Sequence, residues 1–398
     1  MEASLYIHVP FCAGICGYCD FYSVPVKPGD KRTGSFIDAL SSRAEAVLRD
    51  FAVTKVPTVY IGGGTPSVLG AEGTARLLAA VGALLPPSDL PREWTVEANP
   101  ESAGRPFLEA CRMGGVTRVS LGVQTFHEPS RRALGRTGRG SLVPGRLALA
   151  REIFGASFSA DLLSGLPLQD EDTLRRDIGT LLEYEPGHVS LYSLTVAPGT
   201  PLEEKSRVPG FLPDSDRADL LWITGRDMLA ASGYEQYEVS NFARPGRRCA
   251  HNIRYWRMEN WLGLGPAASG TVIDGGFPAT GRRFTGGANL DAWLLPRVSG
   301  GPEDTVEFLD TPVLMKESLL MGFRYAQGPA GELFMKRFGL SVEEAIPQTV
   351  RKWRARGLLS GGLRKGDAPR LSAGGLLFLN PFLLDAFAEL SVPRSGIS

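Results

Sequence analysis

Up to about residue 240, six short apolar runs are each followed by a longer stretch whose apolar residues recur three and four apart. The runs are Ser4–Pro10, Pro57–Gly62, Trp94–Ala98, Arg118–Val123, Phe158–Leu163 and Val189–Thr195. The intervening and following stretches are Ser35–Phe51, Gly73–Leu84, Pro106–Met113, Leu142–Phe154, Asp172–Glu183 and Asp216–Ala231. Such alternation leaves few folds open. A strand that crosses over through a helix pairs parallel with its neighbour, and the helices then cover the outside of the sheet. The prediction is an α/β chain whose six units form a partial (β/α)6 TIM-like barrel. In sheets of this kind functional residues collect at the C-terminal ends of the strands.

The rest of the chain breaks the pattern. Tyr234–Gly270 is aromatic, polar and glycine-rich, with Tyr255, Trp256 and Trp261 close together. Residues 271–311 are rich in glycine and proline and read as a linker. From Pro312 a new helical pattern begins. Pro347–Gly357 reads as a basic amphipathic helix with proline in its first turn and glycine at its end, followed by two short extended runs, Leu358–Leu363 and Pro369–Leu371, and a final helix near Pro381–Leu390. The expected organisation is a barrel with its histidine and aromatic segment over 1–270, the linker, and a small α+β, winged-helix-like domain over 312–398.

A winged helix raises the question of DNA, and charge argues against it. Lys+Arg and Asp+Glu both number 43, so the generic electrostatic attraction to nucleic acid or an anionic membrane is missing. No wholly apolar run reaches the ~18–20 residues that span a bilayer, and the first ten residues carry an early acid and no basic segment. The expectation is a cytoplasmic protein without a signal peptide.

Three of the five cysteines, Cys12, Cys16 and Cys19, fall within eight residues just after the first strand, while Cys111 and Cys249 stand alone. The set is too sparse for a disulfide scaffold. A redox pair with a spare thiol and an incomplete zinc site are the plain alternatives, but structural zinc wants a fourth ligand and no Cys or His pair follows at the usual distance. Three thiolates at C-x3-C-x2-C can instead hold three irons of a [4Fe–4S] cubane and leave the fourth open to a small molecule.

Other strand ends are polar too. Gly62-Gly63-Gly64-Thr65-Pro66 follows the second, Glu97-Ala98-Asn99-Pro100 the third, Gly122-Val123-Gln124-Thr125 the fourth, and Asp161 leads into Leu162-Leu163-Ser164-Gly165-Leu166-Pro167 at the fifth; Arg136 comes after strand four. Singly these are explained by tight turns and helix caps. Together with the cysteines they make a binding constellation at one mouth.

Tyr6 through Cys12, the Cys19-Asp20-Phe21 run and these four strand-end motifs resemble the radical S-adenosylmethionine (SAM) proteins related to oxygen-independent coproporphyrinogen III oxidase. The resemblance runs in order over residues 4–270 and implies a radical SAM barrel. It implies a [4Fe–4S] cluster on Cys12, Cys16 and Cys19 that binds SAM at its open iron and cleaves it to a 5′-deoxyadenosyl radical. It also implies SAM contacts from Tyr6, Tyr18, Gly63, Gly64, Thr65, Glu97, Gln124, Arg136 and Asp161.

Within that family the oxidase branch carries a fourth cysteine, which here would stand at Phe21, and an N-terminal extension, whereas this chain starts five residues before Tyr6. The heme-chaperone branch instead carries H-N-x-x-Y-W, present as His251-Asn252-Ile253-Arg254-Tyr255-Trp256. Of the four histidines, His8 and His188 read as buried, hydrogen-bonded groups and His127 as a helix cap. His251 lies in an irregular stretch with aromatic neighbours, and neutral imidazole is a common heme ligand; a role in hydrogen-bonding its loop stays open, as does Cys249 as an alternative or redox-sensitive ligand. Two departures from the branch are Gly138, where a histidine is expected, and the absence of a histidine in Gly263–Ser269.

The resemblance therefore implies heme or another tetrapyrrole as partner, a membrane respiratory hemoprotein as acceptor, a flavodoxin- or ferredoxin-like electron donor and a homodimer. The rival readings are a radical SAM enzyme on a tetrapyrrole, either the oxidase or a heme-degrading methyltransferase, and an iron–sulfur protein without radical chemistry.

Overall fold

The computed structural model describes residues 1–86, 91–136, 138–295, 304–362 and 366–391. The six expected units are present in order: β1 (Ser4–Val9), α1 (Lys31–Asp50), β2 (Thr58–Gly63), α2 (Gly70–Leu84), β3 (Glu93–Ala98), α3 (Arg105–Met113), β4 (Arg118–Gln124), α4 (Val143–Phe154), β5 (Phe158–Ser164), α5 (Glu171–Leu182), β6 (His188–Ser193) and α6 (Ser215–Ala231). The first helix begins four residues earlier than its apolar pattern suggests. Asp30 caps it by accepting from the Arg32 backbone N–H at 2.9 Å, so the polar turn Lys31–Gly34 is helical as well.

The six strands pair parallel in sequence order. Alternate residues give each strand two unlike faces. Leu5, Ile7, Val9, Val59, Ile61, Val96, Val119, Leu121, Leu162 and Leu191 pack outward into one apolar cluster with the helices. Ser4, Tyr6, His8, Thr58, Tyr60, Glu93, Glu97, Arg118, Ser120, Asp161 and His188 lie on the other face, so the inside of the curve is polar. Its C-terminal end is a mouth; its N-terminal end is a floor.

The sheet continues past the sixth unit. Strand β7 (Trp261–Leu264) runs parallel to β1 on its free side, and β8 (Ser269–Ile273), β9 (Gly281–Thr285) and β10 (Thr305–Leu309) extend it antiparallel. Residues 271–311 are therefore not a linker across their described part: they hold most of β8, all of β9 and β10, and the short helix Leu290–Leu294. Glycine at 263 and 270 masks this in the sequence. A Cβ at Gly263 would stand 2.4 Å from the Ser269 carbonyl oxygen, so close pairing of these strands excludes the side chains that would have marked them. Residues 296–303 of the expected linker lie outside the described residues.

The C-terminal part follows the expected order. Helices Thr311–Gly322, Gly331–Phe338 and Pro347–Ala355 lead into the hairpin of Leu359–Gly361 and Pro369–Leu371, then helix Leu379–Leu390. Leu363 of the expected first run lies outside the described residues. Phe323, Trp353 and Phe382 meet edge to face at its centre, with ring centroids 4.4 and 5.4 Å apart. That core also takes in Met258, Ile273 and Leu309, so this part packs on the sheet extension rather than hanging from it.

One continuous helical stretch, Pro66–Leu84, is interrupted only by the charges of Glu72 and Arg76. It is 19 residues long with mean hydropathy 1.2, enough by length and composition to cross a bilayer. Its four leucines and two valines supply most of that value. Leu77, Leu78 and Val81 are buried in the barrel core, which makes it a wall helix of the α/β fold.

Candidate functional site

The cysteine loop leaves β1 at Pro10 and is fastened on both sides. Gly17 donates its N–H to the Leu134 carbonyl at 2.8 Å and accepts from Leu202 N–H at 2.7 Å; Val26 N–H returns to the Cys12 carbonyl at 2.9 Å. The turn after β2 is tied to the same loop, because Gly64 N–H donates to Val9 O at 2.9 Å and Thr65 N–H to Phe11 O at 2.6 Å. A Cβ at Gly64 would meet those carbonyls at 2.8 and 2.6 Å, and one at Gly63, whose φ is +100°, would strike the His8 ring. Glycine is required at both positions by close approach.

Cys12, Cys16 and Cys19 are all free thiols lining one cavity of about 370 Å³ at the mouth. Among the described residues no three His, Cys, Asp or Glu side chains converge closely enough to hold a single metal ion. Thiols set around a rim fit a cubane, in which each thiolate takes a different iron. Burial raises the Cys16 thiol pKa, and the Arg136 guanidinium, 3.9 Å from its sulfur, opposes that rise. Thr65 Oγ1 lies 3.4 Å from Cys12 Sγ.

The same cavity is lined by Tyr18, Gly63, Gly64, Thr65, Glu97, Gln124, Arg136 and Asp161, so eight of the nine residues implicated in SAM contacts are brought together. Tyr6 is the exception. It does not line the cavity; its hydroxyl lies 3.1 Å from His8 Nδ1 and its ring leans on Tyr60. Gln124 reaches the mouth through an irregularity in the β4–β5 pairing after Gly122, where its own φ is +66°, and this re-aims its side chain. Arg136 donates to Tyr18 Oη at 3.4 Å, Asn99 Oδ1 at 3.2 Å and the Gly122 carbonyl at 2.9 Å, while its Nε has no partner.

Two carboxyls face this cavity. Glu97 accepts from Tyr60 Oη–H at 2.6 Å and from Gly63 N–H at 3.2 Å; burial pushes its pKa up to about 7, against the pull of the Tyr60 bond. Asp161 is pushed up to about 6, again by burial. Glu97 is thus partly protonated near neutrality, whereas bonds from Ser190 and Ser120 and the charge of Arg136 restrain the rise at Asp161; a ligand carrying positive charge or hydroxyl donors satisfies both. Two carboxyls, an incompletely bonded guanidinium and a glycine turn suit the ammonium, carboxylate and ribose of SAM.

His251 lies elsewhere. It sits in the helix Ala250–Trp256, not in an irregular stretch, and this helix plugs the barrel floor. The imidazole is 1% exposed. Glu93 at the start of β3 caps the helix, accepting from Cys249 Sγ (3.2 Å), Ala250 N–H (3.0 Å) and His251 N–H (3.0 Å). Arg118 pairs with Glu93 at 3.2 Å and donates to the Arg247 and Arg248 carbonyls at 2.8 and 3.1 Å. Cys249 is thus a buried, bonded thiol, and its pKa is raised by burial.

Burial brings the His251 pKa down to about 3, with Arg254 adding to the shift, so the ring is neutral. Thr58 donates its hydroxyl to Ser4 Oγ at 2.8 Å, so its oxygen accepts from His251 Nδ1 at 2.8 Å. The proton then sits on Nδ1, and Nε2, which has no partner, carries the lone pair. Tyr60 packs on the ring at 5.2 Å and Tyr255 meets it edge-on at 4.8 Å.

Each of the other histidines makes a hydrogen bond, although His188 Nδ1 is left without a partner. His8 Nε2 lies 2.8 Å from Tyr22 O and His188 Nε2 is 2.8 Å from Tyr237 Oη. His127 precedes its helix but bonds Ser130 through its side chain instead of capping the backbone. At Gly138 a Cβ would fall 1.8 Å from the Glu101 carboxylate, which is committed to Arg131 at 2.9 Å, so a histidine has no room there.

Asn99, Ser120, Tyr192 and Tyr60 were not singled out by sequence. Asn99 bridges Thr65 Oγ1 (3.1 Å) to Arg136; its place in the Glu97-Ala98-Asn99-Pro100 run was the available signal. Ser120 and Tyr192 line the cavity as ordinary inward strand residues.

Over residues 6–179 the chain matches the Radical SAM superfamily. It is 34% identical over 388 residues to heme chaperone HemW of Escherichia coli (strain K12), covering 97% of this chain and 98% of that protein. It is 38% identical over 409 residues to radical S-adenosyl methionine domain-containing protein 1, mitochondrial, of Mus musculus, covering 98% and 88%. Coproporphyrinogen III oxidase (HemN) from Escherichia coli, a radical SAM enzyme of solved structure, matches with a TM-score of 0.79 at 20% identity, over 97% of this chain and 90% of that one. At that identity the likeness is one of fold.

Proposed function

The chain belongs to the family of the HemW heme chaperones and carries a radical SAM domain, and from that premise we propose that it binds heme in the cytoplasm and hands it to membrane respiratory hemoproteins. The observation that carries the proposal is likeness along nearly the whole of both chains; His251, whose neutral Nε2 has no partner, offers a lone pair to iron once the ring is exposed.

In this reading Cys12, Cys16 and Cys19 hold a [4Fe–4S] cluster, which when bound supplies the electron that cleaves SAM, delivered by a flavodoxin- or ferredoxin-like donor. Gly63, Gly64 and Thr65 present backbone and hydroxyl groups to the methionine end of SAM. Glu97 and Asp161 accept its donors, Arg136 and Tyr18 brace the cluster side of the cavity, and Gln124 closes the rim. His251 is the heme ligand, and the protein acts as a homodimer. Phe21 stands where the oxidase branch has its fourth cysteine, which weighs against coproporphyrinogen as substrate.

The test is anaerobic reconstitution of wild type, Cys16→Ala and His251→Ala, followed by iron analysis, SAM binding and heme titration at the Soret band. The expected result is stoichiometric heme uptake by wild type, at least tenfold weaker in His251→Ala, with cluster loss confined to Cys16→Ala. Formation of protoporphyrinogen IX from coproporphyrinogen III, or failure of wild type to take up heme, would overturn the proposal.

A further inference from the structure

The mouth and floor of the barrel are joined through one strand. Thr58, Tyr60 and Gly62 are successive inward positions of β2, whose end is the glycine turn of the mouth. Thr58 holds His251 Nδ1 at 2.8 Å. The Tyr60 ring lies on the His251 ring, with centroids 5.2 Å apart and planes at 31°, and the Tyr60 hydroxyl donates to Glu97 Oε1 at 2.6 Å. A Cβ at Gly62 would fall 2.6 Å from Glu97 Oε2, so the missing side chain there makes the room Glu97 occupies. Between the carboxyl that faces the mouth cavity and the imidazole in the floor there is a single side chain.

The floor is closed. Glu93 and Arg118 hold the start of the His251 helix, and the ring is enclosed, so a macrocycle cannot reach Nε2 in this arrangement. A second arrangement, with the helix withdrawn from β2, is needed for ligation. The closed arrangement owes one of its contacts to Tyr60, and Tyr60 is held there by Glu97. A SAM ammonium or ribose hydroxyl at the mouth draws the Glu97 carboxyl toward itself, and a carboxyl that turns to the mouth leaves the Tyr60 hydroxyl.

We propose that Tyr60 is a positioning residue that couples the two ends of the barrel, so that SAM bound at the mouth releases His251 and raises the affinity for heme. The coupling rests on the assignment of His251 as the heme ligand. Linkage is reciprocal, so heme raises the affinity for SAM by the same factor.

The test uses cluster-reconstituted protein with the cluster left oxidised, so that SAM is not cleaved. Ferric heme is titrated at the Soret band with and without saturating SAM, and SAM is titrated by calorimetry with and without heme. In wild type both affinities are expected to rise by about tenfold, within the usual range of such couplings. Tyr60→Phe keeps the ring on His251 but loses the bond to Glu97. It is expected to bind heme with an unshifted Soret band while its response to SAM falls below about twofold.

Wild type that binds both ligands with no mutual effect would overturn the coupling, as would a full SAM response in Tyr60→Phe. The calorimetric arm on wild type stands even if the variant fails to fold. Heme affinity unchanged by His251→Ala would overturn the ligand assignment and the coupling together; affinity weakened by His251→Ala but indifferent to SAM in wild type would overturn the coupling alone.

Discussion

Replacing Glu97 by glutamine keeps the shape and the bond from Tyr60 but removes an ionisable group whose pKa is raised on folding from 4.5 to about 7. The folded protein holds the proton more tightly than the unfolded chain does. Its contribution to stability is therefore complete below about pH 4.5, falls through the interval, and is gone above about pH 7. At 1.4 kcal/mol per unit the loss amounts to at most about 3 kcal/mol, an upper value because the carboxyl is partly open to the cavity. Glutamine does not titrate. The unfolding free energy of the variant minus that of wild type should accordingly grow by up to about 3 kcal/mol between those two pH values.

Urea unfolding of the apo protein, followed by tryptophan fluorescence across the interval, measures that difference. Asp161 titrates in both proteins and largely cancels. A difference that stays flat with pH would refute the placing of a protonated carboxyl beneath the mouth. The same logic makes SAM binding pH-linked. A positive charge against Glu97 favours the carboxylate, so binding near pH 6 should release a proton, visible as a dependence of calorimetric heat on buffer ionisation enthalpy.

Gly64→Ala would press a methyl against the carbonyls of Val9 and Phe11, neither of which can swing aside. A stability loss of about 1–3 kcal/mol is expected, with less iron retained per chain; wild-type values for both would show that the turn and the cysteine loop are independent. Arg118→Met strips Glu93 of its buried partner and should cost about 3–5 kcal/mol in urea unfolding, most of it recovered in the Arg118→Met, Glu93→Gln double variant; lack of recovery would mean that the cost is one of packing.

The six βα units were legible because each strand carries an apolar outer face and each helix a matching stripe, and these are local patterns. The mouth was legible because its residues sit at strand ends, where the chain order itself delivers them. Strand β7 and its antiparallel neighbours were not, since Gly263 and Gly270 give up their side chains to bring two backbones together. Tyr60 was hidden for a related reason: a polar residue inside a strand looks like ordinary alternation until the strand curves and the residue meets Glu97 and His251. The floor was the least legible part. Sequence places Tyr255 beside His251, but the groups that enclose the ring, Thr58, Tyr60 and Glu93, come from strands more than 150 residues away.

The bond from Cys249 to Glu93 has a practical side. Cys111 and Cys249 are shut inside the wall and the floor, at 0% and 3% exposure, whereas Cys16 and Cys19 open on the mouth. A maleimide applied to folded protein should therefore label only sulfurs of the rim, and a bound cubane shields those. Label uptake per chain then becomes a direct gauge of how many molecules in a preparation have lost their iron, free of background from the two sequestered thiols.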